Sequence, residues 1–192
     1  MYICGVDLAS QQDYTAIVVA ERQRRDTETF YEVCHIERLP HGTRYPEVIA
    51  HLQTLMRTPP LAKQGTLIAD VTGVGLPIFQ TLQQSGLRPQ GVLMHGGDKV
   101  SREGAIHRVP KRDVIGGVQV LLQSRRVKFG ATLPFVDVLV HELSNYRIRI
   151  DPATSHDSYS SWREADHDDL VLALALACWW GEWYSRHQAG VW

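Results

Sequence analysis

"YICGVDLASQQDYTAIVVAERQRRDTETFYEVCHIE", residues 2–37, decides the fold. Residues 2–9 read as a buried strand. A turn at 10–13 leads into residues 14–21, the hairpin partner. Residues 22–26 form a charged turn, and 29–37 alternate in part as a third strand. Three strands joined by short turns predict an antiparallel meander.

Outward from the meander the period lengthens. Residues 46–56 carry apolar positions at helical spacing, with Pro46 suited to a first turn. Residues 66–69 make a short buried strand that runs into Asp70. Residues 76–86 form a helix, with Pro77 near its start and Gly86 as its stop. Residues 91–95 are the next strand. "GGDKVSREGAIHRV", residues 96–109, is polar and glycine-bearing and reads as a mobile loop. Helices follow from Pro110 to about residue 125 and from Pro134 to about residue 146. "YRIRI" alternates like an exposed strand, with residues 155–161 as its partner. A last helix covers residues 167–186. A meander followed by alternating strands and helices predicts one mixed α/β domain over residues 1–192.

The 192 residues suffice for one domain with a sizeable core. The net charge of -1 gives no general affinity for nucleic acid, so an anionic partner needs a local basic patch. Cys4, Cys34 and Cys178 form no C-x-x-C pair and are odd in number. Neither a disulfide framework nor a zinc knuckle is indicated, and a reducing cytosol fits. The apolar run at 170–180 is too short to span a bilayer, and no signal peptide is visible, so no membrane partner is expected.

Four acids stand out. Asp7 falls at the end of the first strand, and Asp70 ends the fourth in "IADVTGVGLP". Asp168 and Asp169 open "HDDLVLALALACWW", a helix apolar nearly all round and therefore buried. Singly, each has an ordinary explanation as a strand-end turn residue or a helix cap. Together, beside apolar segments, they are what a divalent metal centre needs. Mg²⁺ takes hard oxygen ligands, and two ions about 4 Å apart can activate water and stabilise a leaving oxygen.

"GVDLASQQDYTAIVV", "IADVTGVGLP", "VPKRDVIGGVQVLLQSRRVKF", "HELSNYRI" and "HDDLVLALALA" occur in this order. The set resembles the carboxy-terminal nuclease domain of the large terminase subunits of tailed bacteriophages, from about residue 5 to residue 177. The resemblance implies a ribonuclease H-like fold, related to Holliday-junction resolvases, with a mixed sheet flanked by helices. It implies an endonuclease using two Mg²⁺ or Mn²⁺ ions on concatemeric double-stranded viral DNA. Asp7 matches the first metal ligand, Asp70 the central one, and the pair Asp168 and Asp169 the third position. Adjacent helical residues point about 100° apart, so the choice within that pair stays open. Glu142 takes a structural or supporting role, His167 a helix cap in preference to a DNA contact, and Asp13 a turn in preference to a metal ligand. Implied partners are double-stranded DNA and a packaging ATPase, small terminase subunit or portal, in the host cell cytoplasm. The sequence has no G-x-x-x-x-G-K-[ST] phosphate loop, so neither an ATPase domain nor ATP binding is expected. The chain is read as an excised domain or a separately encoded nuclease.

Backbone contacts to DNA call for cations. Lys99, Arg102, His107, Arg108, Lys111 and Arg112 form the main cluster, in the expected loop and the helix start after it. Arg125, Arg126 and Lys128, and then Arg147 and Arg149, are further sets. Gly73 and Gly75 either let DNA approach Asp70 or simply form the turn. Trp179, Trp180 and Trp183 read as packing residues, and Trp192 as a docking residue or a loose end. Two other functions stay open: a non-catalytic docking module on DNA or a packaging motor, and a nucleotide-binding member of the same broad fold.

Overall fold

The computed structural model describes residues 1–8, 14–73, 75–150, 157–161 and 167–188; for 147–150, 157–161 and 188 it describes the backbone alone. The first turn with Asp13, Trp192, and the side chains of Arg147 and Arg149 lie outside the described residues.

The meander forms as β1 (Tyr2–Asp7), β2 (Ala16–Arg25) and β3 (Glu28–Arg38), each antiparallel to the one before. β2 runs on through residues 22–25, where the sequence suggested a turn. Its charged end extends into solvent beside β3, and the reversal falls at Asp26, with φ of 54°. The chain continues as α1 (Tyr45–Arg57), α2 (Leu61–Gln64), β4 (Gly65–Asp70), α3 (Gly75–Gln84), β5 (Gln90–His95), β6 (Ser101–Glu103) and β7 (Ile106–Pro110). Then come α4 (Lys111–Gln123), β8 (Val127–Phe129), α5 (Val136–Asn145), β9 (Tyr146–Ile150), β10 (Asp157–Ser161) and α6 (Asp169–Gln188).

Eight strands make one mixed sheet in the order β6-β7-β5-β4-β1-β2-β3-β8; β9 and β10 pair separately. β4, β5 and β7 run parallel to β1, and so does β3, because two antiparallel steps restore direction. The carboxyl ends of β1, β3, β4, β5 and β7 therefore share one edge of the sheet. Open α/β sheets bind ligands at that edge, where neighbouring connections diverge.

The centre of the sheet is buried on both faces. Ile3, Val18, Ile68 and Val92 pack with α4, α5 and α6. Val6, Ile17, Leu67 and Ala69 pack with α1 and α3. Val171 through Ala177 are at most 8% exposed, as expected for a helix apolar all round. Among the described residues no helix is long and apolar enough to cross a membrane.

Two local features shape the sheet edge. The register of β2 and β3 slips between Val19, opposite His35, and Ala20, opposite Val33, so Cys34 is the extra residue of a β-bulge. A bulge resets which side chains face which side. Tyr31, Val33 and Ile36 all enter the core under α6, and Arg38 follows Ile36 to that face. His35 and Glu37 turn to the opposite face, where Glu37 lies 2.8 Å from His51 on α1.

The mobile loop expected over residues 96–109 is corrected. Residues 101–103 and 106–110 are strands of the main sheet, and β7 pairs along its length with β5. Arg102 and Arg108 are exposed on this outer part of the sheet. Their charge hid the strands from a reading based on apolar alternation.

Candidate active site

Alternation along a strand places every second side chain on one face. Ile3 lies in the core beneath α6 and Gly5 touches that helix, so Asp7 follows to the same face. Ile68 lies in the same core, and Asp70 follows it. Val6 pairs with Ala69 across the parallel strands, so Asp7 and Asp70 come one step later, side by side at the carboxyl edge.

The helix that brings the third acid is seated by Gly5. A Cβ there would stand 2.0 Å from the Ala173 carbonyl oxygen and 3.0 Å from the Ala177 nitrogen. Only a bare Cα allows this approach. Ala173 and Ala177 therefore form the stripe of α6 that lies on β1. Asp169, four residues before Ala173, is on that stripe and is 3% exposed. Asp168 is one residue off it. The Asp168 carbonyl accepts the N–H of Leu172 at 2.9 Å, which makes it the N-cap residue.

The start of α6 is held from outside. Glu142 on α5 accepts the N–H groups of Leu170 and Val171 at 3.0 and 3.1 Å. It is 6% exposed and pairs with Arg38. The same Arg38 guanidinium is 3.4 Å from Asp169 Oδ2 and lies over the Tyr14 ring, 4.7 Å from its centroid. Tyr14 in turn meets His167 edge-on at 5.1 Å. Burial pushes the Glu142 carboxyl up to about 7. Arg38 and the two helix amides pull the other way, and Asp169 adds to the rise.

Asp70 is also buried, and burial raises its pKa above the ordinary carboxylate value. Its Oδ1 accepts the Thr72 N–H at 2.7 Å, a turn of the type Asp commonly makes. That bond and the positive charge of Lys111, the first residue of α4, favour the ionised form. Lys111 thus reaches the same edge from the end of β7. Asp7, Asp70 and Asp169 offer only hard oxygen donors, a set that fits Mg²⁺ or Mn²⁺. Among the described residues no three His, Cys, Asp or Glu side chains form a ready-made metal cage. Protein cations, Arg38 and Lys111, stand beside Asp169 and Asp70.

The other expected DNA contacts divide. Lys99, Arg102 and Arg108 are exposed. Arg102 lies across Trp183, and Arg108 is 3.9 Å from Glu103. Arg112 pairs with Asp98 at 2.7 Å. His107 is a correction: it is fully buried, with its ring edge-on to Trp179, Trp180 and Trp183. Burial first, then Arg102 and His187, push its pKa down to about 4, so a neutral ring in an aromatic box replaces the expected phosphate contact. Arg38 and Tyr14 stand at the start of α6 without a local sequence signal that marks them. Arg38 ends a strand of mixed character, and only the bulge turns it toward the acids.

The chain is similar in structure to the nuclease domain of the large terminase of bacteriophage SPP1 with bound Mn. The TM-score is 0.57 at 13% identity, over 92% of this chain and 84% of that one. Thermus thermophilus RuvC gives 0.47 at 12% identity, over 97% and 96%. No protein-family profile and no curated protein matches the chain. The sheet order and the first similarity together establish the ribonuclease H-like fold.

Proposed function

We propose that this ribonuclease H-like chain is a divalent-metal-dependent endonuclease for double-stranded DNA. The observation that carries the proposal is the arrival of Asp7, Asp70 and Asp169 at one sheet edge from three separate elements. Asp7, Asp70 and Asp169 hold two Mg²⁺ or Mn²⁺ ions, and Asp168 serves as the cap of α6. Such ions supply an activated water and a clamp on the leaving oxygen of a phosphodiester. The chain's own contribution is placement. The carboxylates sit on a strand pair and a buried helix, which fix geometry better than loops do. Lys111 offers a positive charge at the same edge to a bound phosphate, and Lys99, just before β6, with Arg102 on β6 and Arg108 on β7, adds positive charge at the outer end of the sheet.

The fold shared with a phage terminase nuclease domain supports a role in cutting concatemeric viral DNA during packaging. In that role the protein works in the host cytoplasm beside a packaging ATPase, small terminase subunit or portal. The test is incubation of supercoiled plasmid with the protein and Mn²⁺. Nicked and linear products should form without ATP and stop with EDTA. Cleavage that persists in excess EDTA, or that requires ATP, contradicts the proposal.

A further inference from the structure

Arg38 is a basic residue placed among acids, and three features fix it there. The bulge at Cys34 turns it from the α1 face to the α6 face. The Tyr14 ring lies against its guanidinium. The guanidinium then joins two buried carboxylates, Glu142 and Asp169, whose side chains are 4% and 5% exposed. Glu142 spends its other oxygen on the amides of Leu170 and Val171. Arg38 thereby connects the end of β3, helix α5 and the first turn of α6. Its planar fork suits this two-carboxylate contact in a way that a lysine ammonium does not.

We propose that Arg38 is a positioning residue for the metal centre: it holds Asp169 in the orientation that lets this carboxylate act with Asp7 and Asp70. The inference rests on the metal-centre proposal above. Arg38 contacts Asp169 through Oδ2, so in this proposal it acts through that carboxylate. Residues that orient a ligand in this way commonly change metal affinity by about 10- to 100-fold when lost. The opposite effect is also physically available, because a cation beside a metal site repels the metal. The arrangement of Glu142, Tyr14 and the bulge around one guanidinium favours the orienting role.

The experiment is a Mn²⁺ titration of wild type, Arg38→Gln and Arg38→Lys, read by the rise in melting temperature and separately by plasmid nicking. A cooperative melt without metal confirms that each variant is folded, and Arg38→Lys carries the test if Arg38→Gln does not fold. For Arg38→Gln, the Mn²⁺ concentration giving half of the thermal shift should rise about 10-fold or more. Cleavage at saturating Mn²⁺ should return to within a few-fold of wild type, and Arg38→Lys should fall between the two. A purely structural role would lower the metal-free melting temperature and leave the Mn²⁺ midpoint in place. An unchanged or lower midpoint in a folded variant overturns the inference while the wild-type response keeps the metal centre standing. A wild type whose melting ignores Mn²⁺ overturns both.

Discussion

Gly5 and Ala173 meet backbone to backbone, so close that a Cβ on Gly5 would lie 2.0 Å from the Ala173 carbonyl oxygen. This contact sets how far α6 sinks onto β1, and hence how near Asp169 comes to Asp7. Gly5→Ala should force the helix outward. Overpacking in a core costs about 1–3 kcal/mol, and here the neighbour is backbone, which yields least. The melting temperature should fall, and the Mn²⁺-induced rise should shrink with it. An unchanged melt would mean that α6 is not seated this way.

Asp70→Asn tests the crowding of charge at the sheet edge. Asn keeps an oxygen for the Thr72 N–H and removes a buried charge that burial disfavours. The metal-free variant should melt at or above wild type, with a gain on the order of 1 kcal/mol, since active sites trade stability for function. Its Mn²⁺-induced rise should be mostly lost, because only a folded state that binds metal is stabilised by it. A strand-end cap with no metal role would give a less stable variant and an intact Mn²⁺ response. Thermal melts of both proteins with and without Mn²⁺ separate the outcomes.

The meander, and the places of Asp7, Asp70 and Asp169 at the ends of their elements, were legible in the sequence because local pattern determines both. Alternation up to Asp7, a short apolar run up to Asp70, and an all-apolar helix after Asp169 each declare themselves within a dozen residues. Which of Asp168 and Asp169 faces β1 was not legible, because that depends on which stripe of α6 meets Gly5, about 170 residues earlier. Arg38 was hidden for a similar reason. Its partner Glu142 is 104 residues away, and the bulge that aims it has no clear local signature. Strands β6 and β7 look like a loop in the sequence because Arg102 and Arg108 supply polarity where a central strand would be apolar.

His107 makes stability depend on pH in a defined window. Its folded pKa, about 4, lies below the ordinary value of 6.5, so the unfolded chain takes up the proton first. The stability this group contributes is fully present above about pH 6.5 and is lost as pH falls toward about 4. Relative to His107→Phe, which keeps a ring in the Trp box, wild type should lose melting temperature between about pH 7 and about pH 4.5. A constant difference between the two proteins across that range would contradict the burial of a neutral imidazole.

The outer strands can be tested as a DNA contact by salt. Each phosphate contact on duplex DNA contributes about 0.9 to the slope of log affinity against log salt. Replacing Lys99 and Arg108 together by Ala should weaken binding across sequences and reduce that slope by about 1.8 if both contact phosphate. Binding measured in EDTA keeps cleavage out of the reading. An unchanged affinity and slope would remove these residues from the interface.

The decisive measurement is the rate of Mn²⁺-dependent cleavage of double-stranded DNA by wild type, Asp7→Asn, Asp70→Asn, Asp168→Asn and Asp169→Asn, each shown to be folded by a cooperative melt. Wild type should cut. Asp7→Asn, Asp70→Asn and Asp169→Asn should each lose at least about 100-fold, the scale of removing one catalytic electrostatic contact. Asp168→Asn should stay within a few-fold of wild type, because Asn also serves as an N-cap. A folded wild type that leaves the DNA intact, or an Asp169→Asn variant that cuts as fast as wild type, would contradict a metal centre built from these three carboxylates.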